Sequence, residues 1–132
     1  MTQFSAQIAG YGIDLDGQRM APDWLDAAIA TWFQAGGTVT VMFQHRAAGR
    51  CIELWQDLAG WYGTVEIIDE EEQRKVDAGI YKGLGVEIKG VLIETGHDAP
   101  NGVIAGGQIT AVSLVDEPMI YGPMTYGEPG TR

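Results

Sequence analysis

The sequence predicts an α+β fold: a mostly antiparallel, barrel-like sheet with one main helix over about residues 22–35 and an extended C-terminal arm. Three observations carry this. Glycine accounts for 19 of 132 residues, about twice the usual ~7%, and the glycines lie between short apolar stretches, a pattern of many strands and turns. Only one stretch has sustained helical periodicity. Pro118, Pro123 and Pro129 interrupt any regular structure beyond Asp116, so the chain divides into a domain over 1–117 and an arm over 118–132.

Each element follows from local pattern. Phe4, Ala6, Ile8, Tyr11 and Ile13 give an imperfect alternation, a strand leading into the turn Asp14-Leu15-Asp16-Gly17. That turn has the D-x-D-G look of a calcium loop, but Gly17 is fourth and Leu25 twelfth where an EF-hand needs glycine sixth and glutamate twelfth. Pro22 suits a first helical turn, Asp23 and Asp26 favour its positive end, and Gly36-Gly37 stop it. Trp24, Leu25, Ala28, Ile29, Trp32 and Phe33 form two adjacent rows on one face of this helix. Thr38–Gln44 reads as a buried strand, Cys51–Gln56 as its neighbour after a turn at Ala47-Ala48-Gly49, and Trp61–Ile68 as the third strand of a meander. Asp69–Val76 places acids before bases, as a short helix prefers, and its charge reads as a solvated face. Tyr81–Thr95 is a glycine-punctuated strand, His97–Gly102 a loop, and Val103–Val115 the last long strand or pair of strands.

Composition narrows the function. The net charge is −10, with 8 basic and 18 acidic residues and no basic cluster, so a phosphate backbone would be repelled and no nucleic-acid partner is expected. Cys51 is the only cysteine, which excludes an internal disulfide and any cysteine-based zinc site, and fits a reducing cytoplasm. No apolar run approaches the ~20 residues of a membrane helix, and the N-terminus lacks a signal-peptide pattern. A protein made in the cytoplasm, with no membrane partner, is the expectation.

No catalytic constellation emerges from the residues. His45 and His97 are the only histidines, too few for a metal site without neighbouring ligands. Cys51 follows His45 closely enough to approach it across a hairpin, but reads first as a small core residue. Ser113, inside Val112-Ser113-Leu114-Val115, reads as a structural hydroxyl. No phosphate-binding glycine string opens a helix, and no cofactor is expected.

Four segments in order, DLDGQRMAPDWLDAAIATWFQAGGTVTVMFQ, AAGRCIELWQDLAGWYGTVEIID, KVDAGIYKGLGVEIKG and VIAGGQITAVSLVDEP, resemble the tailed-phage prohead (capsid maturation) proteases, whose fold is shared with the herpesvirus assemblins. Family members commonly carry a GxYxGxS segment followed by an E-(I/V)-S-L-V-D-x-P segment. In this sequence the nucleophile position of the first is Gly85, the acidic position of the second is Ala111, and an ungapped match puts Phe43 at the catalytic histidine; a two-residue slip would use His45 instead. The resemblance therefore implies the fold without the expected serine, histidine and acid.

Fold segments kept while catalytic positions are lost imply a non-catalytic virion protein, a capsid decoration or minor capsid protein bound to the phage major capsid protein. A homo-oligomer or symmetric array on the capsid is expected. The acidic composition suits the outside of a shell, and Met119, Ile120, Tyr121, Met124 and Tyr126 mark the arm as a partner-binding segment. The sequence is also compatible with two alternatives: an active protease with a shifted centre using His45 with Ser113 or Cys51, and an inactive domain serving as an internal scaffold or assembly factor.

Overall fold

In a computed structural model, residues 2–41, 44 and 46–116 are described, together with the backbone of 125–126. The described residues form eight strands and two helices in the order β1 (Thr2–Gly10), β2 (Arg19–Met20), α1 (Pro22–Gln34), β3 (Thr38–Val41), β4 (Arg46–Asp57), β5 (Gly60–Ile67), α2 (Glu70–Asp77), β6 (Gly83–Glu94), β7 (Val103–Val115) and β8 (Thr125–Tyr126). This is the expected α+β class, a mostly antiparallel sheet curled into a half-barrel with a main helix. Phe43, His45, Met119, Ile120, Tyr121 and Met124 lie outside the described residues, as does the 117/118 boundary; Tyr126 is described only as backbone paired with Phe4.

The long strand β7 organises the sheet. β6 pairs antiparallel along one edge, while β2 and β3 pair parallel to the other, since Val103 meets both Glu94 and Arg19 and Val112 meets both Val86 and Val39. From β3 the sheet continues antiparallel through β4, β5 and β1 to β8. The expected meander is β3-β4-β5. Curling brings β1 back towards β6, and among the described residues those two strands do not pair, so the sheet does not close between them.

The main helix forms as its sequence requires. Leu25, Ile29 and Trp32 are buried against the sheet, and the chain leaves the helix through Gly36 (φ 121°) and Gly37 (φ 60°), conformations that an L side chain resists. The Trp32 indole donates to the Thr38 carbonyl at 3.1 Å, tying the helix end to the start of β3. The first strand is shorter than expected and ends at Gly10. Asp14 Oδ1 accepts from the backbone N–H of Asp16 (2.9 Å) and Gln18 (3.0 Å), with Gly17 at φ 73°, so Asp14–Gly17 is the turn the sequence indicates.

Two expectations need correction. Ala47-Ala48-Gly49 is not a turn: β4 begins at Arg46, and Gly49 is a strand residue paired with Val39 on one side and Ile67 on the other. Small residues are used there because β5 passes very close, not because the chain reverses. Nor is the acidic helix α2 merely a solvated face. Glu72 is fully buried, and its carboxylate accepts from Arg46 Nη2 (2.9 Å), Lys75 Nζ (3.2 Å) and the Tyr81 hydroxyl.

A second polar cluster holds α1 to the sheet. Asp26 Oδ1 accepts from the Tyr11 hydroxyl at 2.6 Å and from the Trp61 indole at 2.8 Å, while the Gln56 amide donates to the Tyr11 oxygen at 2.9 Å. Burial and the neighbouring Asp26 carboxylate push the Tyr11 phenol up to about 12; Tyr62 and Tyr81 are also raised, first by burial and then by Asp57 and Glu72 respectively. The native state thus holds these protons more tightly than the unfolded chain. The stability this confers is complete below the ordinary tyrosine value of 10.0 and is lost as pH climbs towards the folded values. In an alkaline titration, tyrosinate absorbance from these three residues should rise together with loss of circular dichroism; ionisation of all three well before unfolding would contradict the packing.

Candidate functional site

The opening between β1 and β6 forms a cleft of about 200 Å³. Its walls are Ile8 and Ala9 of β1, Met20 of β2, the stretch Leu84–Ile88 of β6, and Ile104, Ser113 and Val115 of β7, with Asp14, Asp16 and Gln18 at one margin. The position comes from topology: among the described residues β1 and β6 do not pair, and β8 meets β1 only at Phe4 and Ser5, away from Ile8 and Ala9.

Strand register assembles the polar part. Ser113 stands opposite Gly85 on β6 and Thr40 on β3, while Glu87 stands opposite Ala111. Directly opposed residues share a face, and residues two apart on a strand do too, so Gly85, Glu87, Ala111, Ser113 and Thr40 lie on one side of the sheet. The Thr40 hydroxyl is 2.6 Å from Glu87 Oε2, to which it donates, and 3.4 Å from Ser113 Oγ. Thr40 and Ser113 are both buried. Hydrogen-bonded hydroxyls account for a polar row in an otherwise apolar sheet.

The positions singled out by sequence are distributed unevenly. Gly85 and Ala111 are brought onto neighbouring strands of this face, two residues apart in register. Ser113 joins them as a buried hydroxyl. Cys51 is on β4, 5% exposed, with its thiol donating to the Glu53 carbonyl at 3.1 Å; burial raises that thiol to about 12, so it is protonated at neutral pH and a poor nucleophile. His97 is exposed in the β6–β7 connection, beside the Asp98–Arg19 ion pair. Among the described residues no cluster of three or more His, Cys, Asp or Glu is arranged to hold a metal ion.

Thr40 and Glu87 were not singled out by the sequence. A signal for Glu87 exists, since it is a carboxylate between Val86 and Ile88 in an apolar strand, two residues from Gly85. Nothing in Thr-Val-Thr-Val distinguishes Thr40 from an ordinary strand threonine.

Chemically, the cleft is apolar with a carboxylate margin of Asp14, Asp16 and Glu87, and among the described residues no lysine or arginine lines it. Such a surface suits neutral or basic groups and repels anions. No family model, curated protein or solved structure matches this chain.

Proposed function

We propose that this chain is a non-catalytic phage virion protein on a prohead-protease-like fold, a capsid decoration or minor capsid protein that binds the major capsid protein. One observation carries the reading: Gly85 occupies a place that does not need a glycine. A Cβ added there would meet only Val115 Cγ1, at 3.5 Å, an ordinary contact, and Gly85 is not among the glycines with positive φ. Neither backbone conformation nor packing explains the missing side chain. It is missing at the position where the family resemblance puts its nucleophile, on the face that holds Glu87 and Ser113. Without a side chain at Gly85, the acyl-enzyme route that the resemblance implies has no nucleophile at that position.

The charge of −10 supports an outward-facing shell role over a DNA-facing one. Burial of Ser113 and Cys51 weighs against a shifted catalytic centre. The decisive measurement is copy number relative to the major capsid protein in purified virions, by quantitative mass spectrometry. A fixed stoichiometric ratio is expected; near absence from virions together with presence in immature heads would replace this reading with that of an internal assembly factor.

Gly85→Ser provides a separate test. The variant should fold, with stability unchanged or raised by about 0.5 kcal/mol, because the side chain fits and glycine is costly in a strand. It should show no self-cleavage and no labelling by a serine-directed probe, since Ala111 and Phe43 still occupy the other two positions. Cleavage by the single variant would show that an acid and a base are already in place, and would overturn the non-catalytic assignment.

A further inference from the structure

We propose that the free edge of β6, from Lys89 to Glu94, pairs antiparallel with the same segment of a second copy of this chain, joining two half-barrels through a continuous sheet. Among the described residues β6 has one hydrogen-bonded neighbour, β7, so its other edge presents backbone donors and acceptors to whatever approaches. On this part of the strand three consecutive aliphatic side chains are about half exposed: Val91 at 48%, Leu92 at 55% and Ile93 at 49%. No proline or central charge blunts the stretch; of the guards that natural edge strands commonly carry, it has the bulge at Gly90.

Charge self-complementarity identifies the occupant as a second copy. A bulge at Gly90 (φ 68°) adds one residue to β6 relative to β7: Lys89 faces Gln108 and Leu92 faces Gly106. A second shift, between Leu92 and Ile93, takes that residue back, so Lys89 and Glu94, opposite Gln108 and Val103, form the exposed basic and acidic ends of one segment. A two-fold axis through the Leu92 pair sets Val91 against Ile93 of the second copy and Glu94 against Gly90 of the second copy. Gly90 has no side chain, so Glu94 can reach the adjacent Lys89 of the second copy, and symmetry repeats the ion pair at the other end. A heterologous strand would not be expected to find opposite charges at both ends of the segment.

The test uses the full chain in sedimentation velocity at physiological salt over a micromolar concentration series. A concentration-dependent dimer is expected. Leu92→Lys should make it monomeric, and Lys89→Glu or Glu94→Lys alone should each weaken association about tenfold or more by setting like charges against each other. The double exchange K89E/E94K should restore association, and circular dichroism of each variant separates a lost interface from a lost fold. A monomeric wild-type chain, a dimer indifferent to these changes, or failure of the double exchange to recover association would each overturn the proposal. Monomeric wild type with loss of capsid-protein binding in Leu92→Lys would assign the edge to that partner instead. Virion copy number is measured separately, so either proposal can fail without the other.

Discussion

Gly49→Ala is expected to lower the unfolding free energy by about 3 kcal/mol, reversing the usual sign of a glycine-to-alanine change. Where the backbone accepts it, that replacement stabilises by about 0.4–1 kcal/mol through the unfolded chain. Here the added methyl carbon would lie 2.0 Å from the Glu66 carbonyl oxygen, 2.9 Å from its carbon and 3.0 Å from the Ile67 Cα. All three obstacles are backbone, so no rotamer change relieves them; β4 must move away from β5. Gly49 also pairs with Val39 of β3, so movement on one side disturbs register on the other. Urea denaturation of Gly49→Ala beside Gly85→Ser makes the comparison internal, since both are strand glycines and only one is crowded. A change at Gly49 below about 0.5 kcal/mol would mean that the β4–β5 ladder relaxes without separating, and the close approach would not be what requires glycine.

Parts of this molecule governed by local forces could be read from sequence. Pro22, the spacing of Leu25, Ile29 and Trp32, and Gly36-Gly37 define α1 within one residue of its observed ends. Asp14 and Gly17 specify their own turn because the side-chain acceptor and the positive φ lie inside the turn itself. Long-range contacts were less legible. Ala47-Ala48-Gly49 has the composition of a turn, and only the passage of β5 beside it makes those small residues strand residues. Parallel pairing of β3 with β7 joins segments far apart in the chain, and no local pattern encodes it. The site follows the same division. Gly85 could be singled out by its place in an ordered motif, whereas Glu87 and Thr40 became partners only when β6 and β3 flanked the same residue, Ser113, on β7.

Glu72 is where local pattern misleads most, and its removal should be costly: Glu72→Ala is expected to destabilise the protein by about 2–3 kcal/mol. Its neighbours along α2 suggest an exposed acidic turn, but its burial is imposed by Arg46 at the start of β4 and Tyr81 just before β6. Arg46 keeps Asp69 as a partner and, with Lys75, can turn towards water, which holds the cost below that of stranding a fully buried cation. The Tyr81 hydroxyl is less fortunate, being raised in pKa by burial and by the Glu72 carboxylate it donates to. A double-mutant cycle with Tyr81→Phe should therefore give less than additive loss, because each single change already removes the shared hydrogen bond. Additive effects would show that the two groups do not interact in solution. Salt should alter the Glu72 contribution little, since the carboxylate is shielded from screening ions. Tyr81 also leads directly into the strand that carries Gly85, Glu87 and the free edge. Hydrogen exchange at the start of β6 should accordingly accelerate in Glu72→Ala more than exchange in β5, linking this ion cluster to the wall of the cleft.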